Sequence, residues 1–176
     1  MTNLKLFANF KLLTCALLFP TLAISIEMPM TQGLHDWTTP EGKLTVIVST
    51  YQDIVTFRRN YNFFLTPVKS KDWIQLPLIV KLDDLEYTFS SAGQGDDLTV
   101  DGVAVQKEKM FYFVKAALQK GDTLVTWFKL TEADDQHMDD PTYSLKLVFT
   151  RTYPKKSKLK IEDILKKESA LGPKTN

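Results

Sequence analysis

Residues 98–131 read LTVDGVAVQKEKMFYFVKAALQKGDTLVTWFKLT, and the way this stretch is parsed decides the fold. Asp101-Gly102 stands between Val100 and Val103. An Asp-Gly pair flanked by β-branched residues predicts a hairpin turn, because a type I′ turn needs φ > 0 at both central positions. Met110, Phe113, Val114, Ala117 and Leu118 then recur at i, i+3, i+4, i+7 and i+8. That stripe predicts an amphipathic helix over 107–119. Lys120-Gly121 would close it, since Gly accepts the left-handed C′ conformation and Lys complements the negative end of the helix dipole. Beyond it, Leu124, Thr126, Phe128 and Leu130 alternate with Val125, Trp127 and Lys129, the pattern of a strand with a buried face. The expectation is a hairpin, a packed helix and a strand in succession. It carries no chemistry.

Working outward to the N-terminus, Lys5 and Lys11 precede an apolar run (LLTCALLFPTLA) that ends in Ala23-Ile24-Ser25. A basic n-region, a short apolar core and small residues at −3 and −1 predict a secretory signal peptide over 1–25, cut near Ser25-Ile26. The run is too short to span a hydrocarbon core, which takes about 20 residues. Cleavage would remove Cys15, the single cysteine of the chain. The mature protein would then have no disulfide, thiolate metal ligand or cysteine nucleophile. A thiol-free exported domain points to a bacterial periplasmic or secreted protein.

Charge is unevenly placed. Residues 26–150 carry 12 Lys and Arg against 18 Asp and Glu, whereas residues 151–176 carry 8 against 3. An acidic body with a basic C-terminal segment argues against nucleic acid as a partner. It leaves the basic tail at 154–176 either as a solvated appendage or as a contact for anionic lipid or an acidic partner.

Along the body, residues 26–41 have no regular period and read as an extended arm containing His35-Asp36-Trp37. Residues 43–51 alternate as a strand. Residues 51–65 fit a strand, with Arg59-Asn60 as a bend, and also a helix behind Thr50-x-x-Asp53; the β-branched run favours the strand. Ile74, Leu76, Leu78, Val80 and Leu82 alternate through Pro77, which suits an edge strand because it has no N–H to give. Asp83-Asp84 turns that strand into Leu85, Tyr87 and Phe89, residues 90–97 form a loop, and Tyr143, Leu145, Leu147 and Phe149 make a last strand. Ile161, Ile164, Leu165 and Leu171, before Gly172-Pro173, predict a short terminal helix. The sum is a mainly β, α+β fold with a single β-rich domain over 26–153. It is an antiparallel β-sandwich or open barrel of about seven strands, with one packed helix at 107–119 and a short C-terminal helix.

Enzymatic motifs are scarce. His35 and His137 are the only imidazoles, and there is no nucleophile elbow, Ser-x-x-Lys motif or phosphate-cradling loop. Asp134, Asp135, His137, Asp139 and Asp140 crowd one connection, and Asp96, Asp97 and Asp101 another. Clustered carboxylates are the ligands calcium takes, although neither group has EF-hand spacing. Trp37, Trp73, Tyr87 and Trp127 are the aromatic candidates for a binding surface, each equally at home in a core. The function expected is an exported, non-enzymatic interaction module that meets a protein or glycan in the envelope or outside the cell through a sheet face or edge. The alternative is a small secreted hydrolase using paired carboxylates on a glycan-type substrate.

Overall fold

The computed structural model describes residues 25–26, 30–52, 56–81, 84–95, 97–133 and 141–173. In chain order its strands are β1 (Ser25–Ile26), β2 (Gly33–Thr38), β3 (Gly42–Gln52), β4 (Phe57–Pro67), β5 (Ile74–Gln75), β6 (Leu78–Lys81) and β7 (Asp84–Glu86). These are followed by β8 (Thr88–Ser90), β9 (Ala92–Gln94), β10 (Asp97–Lys107), β11 (Met110–Gln119), β12 (Asp122–Glu132) and β13 (Tyr143–Tyr153). A single turn of 3-10 helix, Lys155–Ser157, leads to helix α1 (Ile161–Leu171). Among the described residues seven of the strands run six residues or more, and they include β2 and β11, where the sequence predicts an arm and a helix.

Two sheets form. The larger runs β1-β10-β11-β12-β13-β6-β7, with β9 also on β10, and the smaller runs β2-β3-β4-β5, with β8 also on β4. Pairing is antiparallel except for β6 on β13. Alternation sends Leu44, Val46 and Val48 of β3 and Tyr61, Phe63 and Leu65 of β4 inward against Ala104, Phe111, Phe113, Phe128, Leu130 and Leu145 of the large sheet. Phe113 lies at the centre, its ring centroid 4.8 Å from Phe63 and 5.1 Å from Phe89. The opposite face of the large sheet is buried too. Val103, Val105, Tyr112, Val114, Ala116, Val125 and Trp127 pack against Ile161, Ile164 and Leu165 of α1. The architecture is therefore three layers: small sheet, large sheet, terminal helix.

That double burial overturns the helix expected over 107–119. The segment instead holds the end of β10, a turn and β11, and residues 111–114 are all buried. A strand covered on both faces reads as a continuous apolar run, and periodicity cannot separate such a run from a buried helix. Its helical stripe is a coincidence of packing on two sides. The turn within this region also moves. Asp101-Gly102 sits inside β10, paired with Ala116 and Lys115, so the hairpin expected there does not form. Glycine is needed at 102 for space: a Cβ there would stand 2.2 Å from the Phe113 ring. The actual hairpin turns are Glu108-Lys109, with φ of 52° and 67°, and Lys120-Gly121, with φ of 52° and 96°. Both join strands across two residues of positive φ, as a type I′ turn requires. Lys120-Gly121 thus turns a hairpin rather than capping a helix.

Three further expectations change. The arm at 26–41 contains β2, which pairs with β3 along its whole length. Arg59 and Asn60 are mid-strand in β4, not a bend, and 57–65 is strand as the β-branched run indicates. The alternating run through Pro77 is divided between sheets. β5 pairs with β4, β6 pairs with β13, and the chain crosses at Leu76-Pro77, where Leu76 N–H donates to Phe63 O at 2.8 Å and Pro77 O accepts from Leu145 N at 2.9 Å. Proline serves here because the crossover needs its carbonyl alone. β6 and β7 pair antiparallel, although the return strand expected through Leu85, Tyr87 and Phe89 leaves the large sheet after Glu86 and continues as β8 on β4; the 90–97 loop includes β9, and the terminal helix occupies the expected residues.

Candidate functional site

Glu168 of α1 is fully buried and accepts three hydrogen bonds. They come from Trp127 Nε1 at 2.8 Å, Arg151 NH1 at 2.5 Å and the Tyr153 hydroxyl at 2.5 Å. Burial, with the neighbouring carboxylate second, raises the Tyr153 hydroxyl above its ordinary pKa. These contacts tie the helix to β12 and β13. Asp101 is the second buried carboxylate. It accepts from Arg59 NH2 at 2.7 Å and from the Tyr61 hydroxyl at 3.1 Å, joining the two sheets. Desolvation raises its pKa, and the Arg59 charge opposes the shift. Both acids are held by donors already in place. Neither motif is visible in sequence, because the partners lie 15 to 42 positions away.

The four aromatic candidates separate into two kinds. Trp37 is in the inter-sheet core, edge-on to Phe111 at 5.2 Å, with His35 stacked against it at 6.1 Å. Trp127 is wholly buried under α1. Within His35-Asp36-Trp37 the carboxylate is engaged by β3: Asp36 accepts from Thr45 at 2.6 Å and pairs with Lys43 at 2.9 Å. Its carboxyl is lowered by those same two partners, the Thr45 hydrogen bond first.

Trp73 and Tyr87, by contrast, are exposed, 57% and 44% respectively. Both flank the short strands that finish the small sheet beside β4. Trp73 packs on Phe64 with centroids 5.6 Å apart, and Gln75 Nε2 donates to Tyr87 O at 3.2 Å. Next to them, exposed Thr88 donates to half-buried Asn62 Oδ1 at 2.7 Å and exposed Ser90 to half-buried Asn60 Oδ1 at 2.6 Å. The result is a ladder of amides and hydroxyls bordered by two aromatic rings. Pairing of β5 and of β8 with β4, on either side of the excursion to the large sheet that begins at Pro77, brings these residues together, which is why no local pattern announced them.

The metal candidates Asp134, Asp135, His137, Asp139 and Asp140 lie outside the described residues, as does Asp96. Asp97 pairs with Lys160 at 3.3 Å, and Asp101 is engaged as above. Among the described residues no three His, Cys, Asp or Glu groups converge as a metal site would require, and no helix is long and apolar enough to cross a membrane. The described residues border at least two concavities. One, of about 640 Å³, is bordered by Asp36, Trp37, Thr39, Gln106, Glu108 and Lys109. A second, of about 500 Å³, lies by Arg58 and Arg59.

No protein-family model matches the chain, and no curated protein matches it. It is similar to a solved structure described as "Crystal structure of CarG", with a TM-score of 0.60 and 16% identity over 70% of this chain and 83% of that one. At that identity the likeness shows a shared fold and nothing of function.

Proposed function

We propose that the protein is an exported, non-enzymatic binding module that meets a glycan chain along the edge of its small sheet. The observation that carries this reading is the exposure of Trp73 and Tyr87 beside the polar ladder of Asn60, Asn62, Thr88 and Ser90, while Trp37 and Trp127 are spent in the core. Aromatic rings give large contact area at small entropic cost, and amides and hydroxyls beside them fix orientation. The two buried carboxylates support the same reading, since each is saturated by donors that hold layers together. Export rests on the n-region, apolar core and small-residue site of 1–25. Expression in a bacterium, followed by fractionation and N-terminal sequencing, should find a periplasmic or secreted chain beginning at Ile26.

Trp73 supplies its own reporter, because it is the exposed one of the three tryptophans. Titration with soluble cell-wall glycan fragments should change tryptophan emission saturably. The Trp73→Ala/Tyr87→Ala double variant should abolish binding measured by calorimetry without altering the melting temperature. Equal binding by the double variant, or binding of extended peptides in preference to every glycan, would overturn the proposal.

A further inference from the structure

Two consecutive arginines stand at the start of β4, and the two meet different fates. Arg59 pairs with the buried Asp101. Arg58 is only 5% exposed, gives one terminal nitrogen to Gly95 O at 2.9 Å, and has no partner for Nε. Among the described residues no carboxylate forms an ion pair with it. A buried guanidinium has five donors to satisfy and a charge to balance, and leaving both undone is costly.

Arg58 lines the cavity of about 500 Å³ together with Phe57, Arg59, Ser91, Leu98 and Glu162. The wall is fixed in place: Ser91 Oγ accepts from Arg59 N at 2.8 Å, Ser91 N donates to Arg59 O at 2.8 Å, and Ser91 O accepts from the Tyr51 hydroxyl at 3.1 Å. Phe57, 72% exposed, offers an apolar flank.

We propose that this cleft binds a carboxylate carried on an aromatic or aliphatic group. A guanidinium matches a carboxylate's planar pair of oxygens. Asp101 pairs with Arg59, which leaves Arg58 as the guanidinium at this cavity with no carboxylate in direct contact among the described residues. Glu162 at the same cavity repels a doubly charged phosphate about twice as strongly as a singly charged carboxylate, which favours the carboxylate. Phe57 and Leu98 take the ligand's apolar part, and the volume falls within the range of small-ligand pockets.

Calorimetry of the purified protein with 3-phenylpropionate, 3-phenylpropionamide and phenyl phosphate tests this. The acid should bind saturably, and the amide and the phosphate at least about ten-fold more weakly. A peptide ending in Phe, as free acid and as C-terminal amide, distinguishes a chain end from a free acid by which of the two carboxylates binds more tightly. Arg58→Gln should abolish binding, while Trp73→Ala should leave it unchanged, which separates this site from the sheet edge. Should Arg58→Gln fail to fold, the exposed positions decide: Phe57→Ala should weaken the acid several-fold, and Glu162→Gln should admit phenyl phosphate. Acid and amide binding alike, no heat with any carboxylate at millimolar concentration, or full affinity in Phe57→Ala would overturn the proposal.

Discussion

Glu168 and Asp101 are both buried carboxylates with arginine partners, yet they hold different parts of the molecule. Removing Glu168 strands a buried indole N–H and a buried hydroxyl together with the Arg151 charge. Glu168→Ala should therefore cost about 3 kcal/mol, at the lower end for a broken buried pair because Arg151 reaches water. Chemical denaturation would measure it, and a loss below about 0.5 kcal/mol would mean that the clasp does not hold the helix. For Asp101 the test is pH. Its carboxyl is raised above the ordinary range by burial, so the folded state holds its proton more tightly than the unfolded chain does. Its contribution to stability is then greatest below the unfolded pKa and falls as pH climbs to the folded value. The stability of wild type relative to Asp101→Asn should accordingly rise on acidification through the range just above pH 3.8. The opposite slope would show that Arg59 outweighs desolvation. No sequence pattern marked Glu168, and Asp101 was hidden behind a turn signal. Acidic residues recruited as acceptors at long range leave no local trace.

At the level of elements, alternation located β3, β4 and β13, and also β12, although Phe128 and Leu130 of β12 face the small sheet and Val125 and Trp127 the helix. It failed at β11, where both faces are covered and the apolar run also fits a helical stripe. β11 lost its period because the helix buries Tyr112, Val114 and Ala116 while the small sheet buries Phe111 and Phe113. The neighbouring turn was concealed for a related reason: neither Glu108 nor Lys109 is a residue that favours positive φ, yet both adopt it. Left-handed backbone costs such residues about 1–2 kcal/mol each. Replacing Glu108-Lys109 by Asn-Gly should stabilise the hairpin by about 1 kcal/mol or more. Thermal denaturation would detect that gain, and a fall in melting temperature would contradict the turn assigned here.

For the whole molecule, the sequence made the mainly β class and the terminal helix readable, whereas the layer order depended on contacts it does not display. The crossover at Pro77 is the decisive case. A single alternating run reads as one strand, but Leu76 serves the small sheet and Leu78 the large one. Trp73 is held at the small sheet by β5 before the chain crosses, and Tyr87 arrives on the return path into β8, so the proposed binding surface is a product of topology rather than of motif. Trp73 and Tyr87 were named from composition alongside two tryptophans that turn out to be core, and burial alone separates the pairs. Hydrogen–deuterium exchange of the protein, free and saturated with the glycan fragment that binds best, puts the edge itself on trial. Protection should appear at 74–75 and 88–90 and leave the exposed Leu147 and Val148 of β13 unchanged; protection confined to β13, or none at the small-sheet edge, would contradict it.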